Sequence, residues 1–132
     1  KLAKKPYTIV GNGKQTRDFT YVSDVVDAFI KASRSNLKNE ILNVGSGKTI
    51  SILEIVNLLK GEKTYIKKRP GEPDCTFANI KKIKQKLNWK PKINIKQGIQ
   101  ILLDDINYWK KAPVWTPKKI KKATKLWFKH LK

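Results

Sequence analysis

The chain has 132 residues, enough for one modest domain with a core of its own, and it sets 30 Lys and Arg against 10 Asp and Glu, a formal net charge of +20. Nowhere do about eighteen apolar residues run together, which excludes a membrane-spanning helix, and the opening Lys1-Leu2-Ala3-Lys4-Lys5-Pro6 has no apolar run behind its charges and so does not read as a signal peptide. A single cysteine, Cys75, excludes an internal disulfide, and the single histidine, His130, stands far from it in the sequence, which excludes a Cys/His metal cluster.

In chain order, Tyr7–Val10 is a short β-prone run closed by the turn Gly11-Asn12-Gly13, and residues 16–22 form a second extended run with Phe19 and Tyr21. A helix is expected over residues 23–33, with Val25, Val26, Phe29 and Ile30 as its apolar stripe. Residues 40–44 read as a strand that ends at Gly45-Ser46-Gly47. Ser51-Ile52-Leu53-Glu54 is a capping box, in which hydroxyl and carboxylate satisfy the free amides of a helix start; that helix carries Ile52, Ile55, Val56, Leu58 and Leu59 and stops at Gly61. Residues 64–67 read as a strand, and Arg69-Pro70-Gly71-Glu72-Pro73-Asp74 as a rigid loop. Asn79 is expected to cap a helix that ends at Trp89-Lys90-Pro91. Asn94 caps another, with Ile95, Ile99, Leu102, Leu103 and Ile106 at helical spacing up to the break at Ala112-Pro113. Thr116-Pro117 opens a last helix, with Ile120, Ala123, Leu126 or Trp127 and Leu131 facing inward. Strands alternating with helices give an α/β fold class.

The charge excess can attract nucleic acid, an anionic membrane or a phosphorylated ligand. Only three of the basic residues are arginine, namely Arg17, Arg34 and Arg69. The lysines are scattered through every segment and travel with Ile and Asn, which reads as compositional drift and counts against nucleic acid as a partner. A guanidinium fork suits phosphate better than an ammonium does, so the arginines carry more information than the lysines. Arg17 lies in an extended run, where a sheet would hold it toward a fixed anion; the alternative is a structural pair with Asp18 or Asp24. Arg69 stands at a strand end before a loop stiffened by two prolines, and ligand sites of α/β folds gather at strand ends. Two such arginines could clamp a pyrophosphate while Glu72 accepts from ribose hydroxyls; the alternative is that Glu72 and Asp74 pair with surface lysines. Gly11-Asn12-Gly13 and Gly45-Ser46-Gly47 read as turns, because a dinucleotide fingerprint needs a third glycine opening a helix after a buried strand. Cys75 reads as a packing residue, since no His or helix start is at hand to lower its pKa. The aromatic, basic stretch from Tyr108 to Phe128 reads as a tail packed on its domain.

Gly11-Asn12-Gly13-Lys14-Gln15-Thr16-Arg17-Asp18-Phe19-Thr20-Tyr21-Val22-Ser23-Asp24-Val25 resembles a segment of the extended short-chain dehydrogenase/reductases, the NAD-dependent nucleotide-sugar epimerases, dehydratases and decarboxylases. Asn43-Val44-Gly45-Ser46-Gly47 with Ser51-Ile52-x-Glu54 is similar to their next signature. Arg69-Pro70-Gly71-Glu72-Pro73 and then Leu87-x-Trp89-x-Pro91 resemble the third. The resemblance runs from about Pro6 to Ile106. It implies the C-terminal, substrate-binding portion of an extended fold like that of UDP-glucose 4-epimerase, without the N-terminal Rossmann half that holds NAD and a Tyr-x-x-x-Lys pair. Tyr7, Tyr21, Tyr65 and Tyr108 are each followed four residues on by something other than lysine, so no catalytic residue carries over and the chain alone is expected to be inactive. By resemblance, Arg17 and Arg69 grip the nucleotide diphosphate, Glu72 stands where an Asp commonly contacts the nucleotide, Phe19 lines the same pocket, and Asp24 bonds within the fold.

The expected division is a nucleotide-sugar-binding domain over residues 1–111 and a helical tail over 112–132 packed on it. The expected partner is a nucleotide-sugar, UDP-linked foremost, together with the Rossmann half and, in the parent, a second copy of it. NAD is the parent's cofactor, none is expected on this chain alone, and the expected location is the cytoplasm, to which the lone cysteine points. In such a parent, a hydride passes from a sugar carbon to NAD⁺ and returns on the other face, or after elimination or decarboxylation, so the alternatives are a UDP-glucuronate decarboxylase or a dTDP-sugar dehydratase. From a different class, a non-enzymatic polyanion-binding module or an inactive remnant also stays open at this point.

Overall fold

The computed structural model describes residues 1–130, so Leu131, placed inward by its helical spacing, lies outside the described residues. The β-prone run forms strand β1 (Tyr7–Val10), and it pairs in parallel with β4 (Lys63–Ile66) in the register Tyr7↔Lys63 to Val10↔Ile66. Parallel neighbours need a crossover, and the intervening chain supplies it through α1 (Val22–Ser33) and α2 (Ile52–Leu59), the second of which packs on β1. The second extended run yields only β2 (Thr16–Arg17), antiparallel to β3 (Ile50–Ser51). Among the described residues the fold is thus α/β, with two small two-stranded sheets.

Three helix starts follow from their caps. Ser51 and Glu54 close a capping box on α2. Asn94 and Gln97 close another on α4 (Ile95–Asp104). Thr116 caps α5 (Pro117–Ala123) with proline at its first position. Asn79 caps differently from the expectation: its side chain accepts from the Lys81 amide, but it stands one residue ahead of the boundary, and Ile80 flanks α3 (Lys81–Leu87). That helix ends at Asn88, which takes the left-handed conformation at φ 45°. Helix α2 stops at Lys60, which has a positive φ of 53°, rather than at Gly61.

Three further expectations are corrected. Residues 40–44 are not a strand: Leu42 and Val44 pack against the core as irregular chain, and Ile41 between them is 86 % exposed. The last helix is interrupted at Thr124, giving α5 and α6 (Lys125–His130), with Leu126 exposed; ahead of it lies a 3₁₀ turn over Ile106–Lys111. On α1 the side turned into the core carries Asp24 and Ala28, while Val26, Phe29 and Ile30 of the expected stripe stand exposed together with Val22.

The main core cluster joins Ala28 of α1 to Ile80, Ile83 and Trp89, with Ile83 and Trp89 almost wholly enclosed. Trp89 donates its indole N–H to the Asp24 carbonyl at 3.1 Å. The Asp24 carboxylate, 2 % exposed, accepts from the amides of Lys92 and Ile93 at 3.1 and 3.0 Å, so the expected role of Asp24 within the fold is what the structure shows. No helix among the described residues is long and apolar enough to cross a membrane.

Candidate functional site

Strand β2 places Arg17 between two segments. On one side Arg17 faces Ile50 of β3. On the other, Thr16 donates its amide to the Asp74 carbonyl at 2.8 Å and accepts at its own carbonyl from Thr76, which stitches the loop over residues 69–76 to β2. That loop follows β4 directly, turns on the amide of Glu72 donating to the Arg69 carbonyl at 3.5 Å, and passes through Gly71 at φ 68°. The stitching brings Arg17 and Glu72 together across 55 residues of sequence: Nη2 lies 3.4 Å from Oε1, with both side chains about four-fifths covered. Arg17 also donates through Nη1 to the Thr16 carbonyl at 2.7 Å.

The pairing of Arg17 is therefore neither of those weighed from its sequence neighbours. Asp18 and Asp24 are both engaged by backbone amides. The Asp18 carboxylate accepts from Ser46, Gly47 and Ala78 at 2.6, 3.1 and 3.3 Å. This explains Gly45-Ser46-Gly47: the turn lets the backbone close on a carboxylate, and a β-carbon at Gly45 would strike Ala78 and lie 2.9 Å from Asp18 Oδ2. Asp74 does pair with a lysine, Lys68, and that contact first, with a smaller contribution from Arg17, holds its carboxyl below the ordinary aspartate range.

Arg69 sits three residues before Glu72 on the same loop. Its Nε and the Glu72 Oε2 are both buried, and neither finds a hydrogen-bond partner among the described residues. A buried donor and a buried acceptor of opposite charge, left open on one turn, are costly unless something outside the chain satisfies them. Above the Arg69 guanidinium lies the indole of Trp127, 5.7 Å from Cζ to ring centroid, and the Trp127 N–H donates to the Pro70 carbonyl at 2.8 Å. Arg69 faces a cavity of about 690 Å³ whose walls include Ile66, Ile120 and Phe128.

Of the four residues expected to bind substrate, the structure thus brings Arg17 and Glu72 into contact and sets Arg69 beside Glu72 on one turn. Phe19 stands apart: it is 38 % exposed and lines a separate cavity of about 560 Å³ with Ser46, Ile50, Pro91 and Ile93. Sequence reasoning missed the contact of Trp127 with Arg69. The only available signal was a tryptophan in a basic tail, and that does not say which cation it meets.

Neither glycine turn is arranged as a dinucleotide fingerprint. The Ser46 and Gly47 amides are taken by Asp18, and Gly13, buried in its turn at φ 75°, accepts at its carbonyl from the Leu53 amide rather than opening a helix. Among the described residues no group of three or more His, Cys, Asp or Glu could hold a metal ion.

The model of the family described as GDP-mannose 4,6 dehydratase matches residues 1–102. The chain is 45 % identical over 98 residues to a putative UDP-glucose 4-epimerase of Methanocaldococcus jannaschii, covering 70 % of this chain and 31 % of that protein. It is 37 % identical over 125 residues to the UDP-glucuronate 4-epimerase of Thermodesulfobacterium geofontis, covering 89 % of this chain and 37 % of the relative. Among solved structures, the UDP-glucuronic acid 4-epimerase of Bacillus cereus, in complex with UDP-glucuronic acid and NAD, superposes with a TM-score of 0.75 at 34 % identity, over 81 % of this chain and 37 % of that one. The chain thus spans about a third of the length of the proteins it matches.

Proposed function

The chain belongs to the NAD-dependent nucleotide-sugar epimerase/dehydratase family of extended short-chain dehydrogenase/reductases, and from that premise we propose that it is the C-terminal, substrate-holding part of a UDP-sugar 4-epimerase. The observation that carries this reading is the turn over residues 69–72, with its unsatisfied Arg69 Nε and Glu72 Oε2 beside the Arg17–Glu72 pair. A nucleoside diphosphate offers what such a turn lacks: anionic oxygens for the two guanidinium groups and ribose hydroxyls that donate to the carboxylate. The long 3.4 Å contact between Arg17 and Glu72 leaves Arg17 able to turn toward a phosphate. Phe19, two residues beyond Arg17, lines the separate cavity beside Ile50 and would meet a part of the ligand that extends there.

Holding the diphosphate fixes where the attached sugar lies, so the contribution of this chain to the reaction is orientation. Hydride chemistry with NAD falls to residues outside this chain, a second copy of the parent enzyme remains compatible with this role, and the lone Cys75 suits a reducing, cytoplasmic setting. The tail over residues 112–130 belongs with the substrate-holding domain.

The test is a titration of UDP into the ¹⁵N-labelled chain, followed by backbone amide shifts. Shifts concentrated at Arg17, Phe19 and residues 69–72 are expected. Arg17→Ala and Arg69→Ala each remove charge-assisted bonds of about 1.5–3 kcal/mol, a loss of roughly ten- to a hundredfold in affinity. Binding unchanged in both variants sinks the reading.

A further inference from the structure

Arg17 and Arg69 are held in different ways. Arg17 is oriented by polar partners, the Glu72 carboxylate and the Thr16 carbonyl. Among the described residues no carboxylate pairs with Arg69; what lies against its guanidinium is the face of Trp127. A π face attracts the cation yet takes none of its N–H bonds, so the buried Nε–H, without a partner among the described residues, stays open to a ligand. The same indole is tied by its N–H to the carbonyl of Pro70, the next residue along, so ring and turn are fixed to each other at two points, 57 residues apart in sequence.

The segment that delivers Trp127 is ordered by its own contacts. Thr116 caps α5, the Thr124 hydroxyl donates to the Ile120 carbonyl at 2.9 Å at the bend, and the Phe128 amide donates to Thr124 as α6 begins. Ile120 and Phe128 then wall the cavity that Arg69 faces. A free arginine loses rotamer freedom when it grips an anion, and an arginine already stacked has lost it beforehand.

We propose that Trp127 is a positioning residue of the nucleotide site: its indole face holds the Arg69 guanidinium in the orientation that receives the diphosphate, and its N–H pins the turn at Pro70. The inference rests on the reading of Arg69 as a diphosphate ligand, and it makes the aromatic tail part of the binding site rather than a packing appendage.

The experiment measures UDP affinity of the chain for Trp127→Ala, Trp127→Phe, Arg69→Ala and the Trp127→Ala/Arg69→Ala pair, with the Arg69 Nε–Hε resonance followed in each variant that keeps the arginine. Loss of the cation–π contact is expected to weaken UDP about five- to tenfold in Trp127→Ala, while Trp127→Phe, which keeps a ring face, stays within about threefold. The double variant is expected to bind no worse than Arg69→Ala alone, and the Hε resonance to move in Trp127→Ala far more than in Trp127→Phe. General loosening of the fold would add to the Arg69→Ala loss instead of vanishing within it. Unchanged UDP affinity in Trp127→Ala, with Arg69→Ala weakened, overturns this inference and leaves the nucleotide-site reading standing. No effect of Arg69→Ala overturns this role, and no UDP binding by the wild-type chain, or no effect of Arg69→Ala and Arg17→Ala alike, overturns the nucleotide-site reading with it.

Discussion

Two carboxylates on either side of one short segment show how far a single residue reaches in this chain. Asp18 gathers amides from residues 46, 47 and 78, and Asp24 gathers those of 92 and 93, so both close loops that lie far away in sequence. Asp24 is buried, and each of its carboxylate oxygens accepts from one of the two amides. Asp24→Ala is expected to cost about 3 kcal/mol, because it removes both amide bonds to a buried carboxylate and leaves a gap where that carboxylate packs. Asp27, one turn along α1, pairs with the Lys92 ammonium at 3.6 Å, partly in solvent, and Asp27→Ala is expected to stay within about 0.5 kcal/mol. Urea unfolding of the two variants checks the contrast; equal losses would mean that Asp24 matters by charge alone. The two aspartates also explain why the partner of Arg17 was not legible from its neighbours. Sequence proximity offered Asp18 and Asp24, but backbone amides from other segments had already claimed both. Glu72 became the partner only through the pairing of Thr16 with residues 74–76. Local chemistry marked Arg17, Arg69 and Glu72 as residues worth following, whereas the contacts they make were set by long-range closure.

At the scale of elements, starts were more legible than faces. A cap is a local hydrogen bond between residues two or three apart, so Ser51, Asn94 and Thr116 could be read directly. Periodicity says which side chains share a face but not what covers it, and so Val26 and Phe29 of the α1 stripe share a face yet are at least half exposed. Residues 40–44 show the same limit for strands: their apolar content packs on the core through Leu42 and Val44, yet among the described residues no neighbouring backbone pairs with them, and without a partner a β-prone run is not a strand. The capping box of α2 carries a pH dependence with a definite sign. Hydrogen bonds from the Ser51 hydroxyl, and then from its amide, hold Glu54 below the ordinary glutamate value. A depressed folded-state pKa stabilises the chain above the unfolded value, and that stabilisation is lost as pH falls through the folded one. Glu54→Gln keeps an acceptor but not the charge. Its melting temperature is therefore expected to lie below that of the wild type at pH 7, and the gap to close as pH drops below about 4. A gap that stays constant across the titration would mean that the carboxylate acts only as a neutral acceptor does.

For the whole molecule the dominant fact is the net charge of +20, spread over lysines in every segment. Few of these cations are neutralised locally among the described residues: Glu40 serves both Lys82 and Lys86, at 2.7 and 3.4 Å, Lys68 and Lys92 each meet one aspartate at the surface, and Arg17 meets the half-buried Glu72. Exposed pairs contribute little, while the unpaired majority repel one another within a chain of modest core. Two effects of salt with opposite signs follow. Screening relieves the repulsion, so raising NaCl from about 0.02 to 0.5 M is expected to lift the melting temperature by several degrees, as the Debye length shrinks to a few ångströms. The same screening weakens the long-range attraction of an anionic ligand, so UDP is expected to bind less well over that range while the chain itself grows more stable. A binder working through scattered lysines would show a far steeper fall for duplex DNA than for UDP, with little response to Arg17→Ala or Arg69→Ala. A site built on two guanidinium groups and one carboxylate would lose most of its UDP affinity to either substitution at every salt concentration. Calorimetry of wild type and Arg69→Ala at both ends of the salt range separates the two, because general attraction scales with the charge of the whole molecule and the grip on a diphosphate depends on one turn of it.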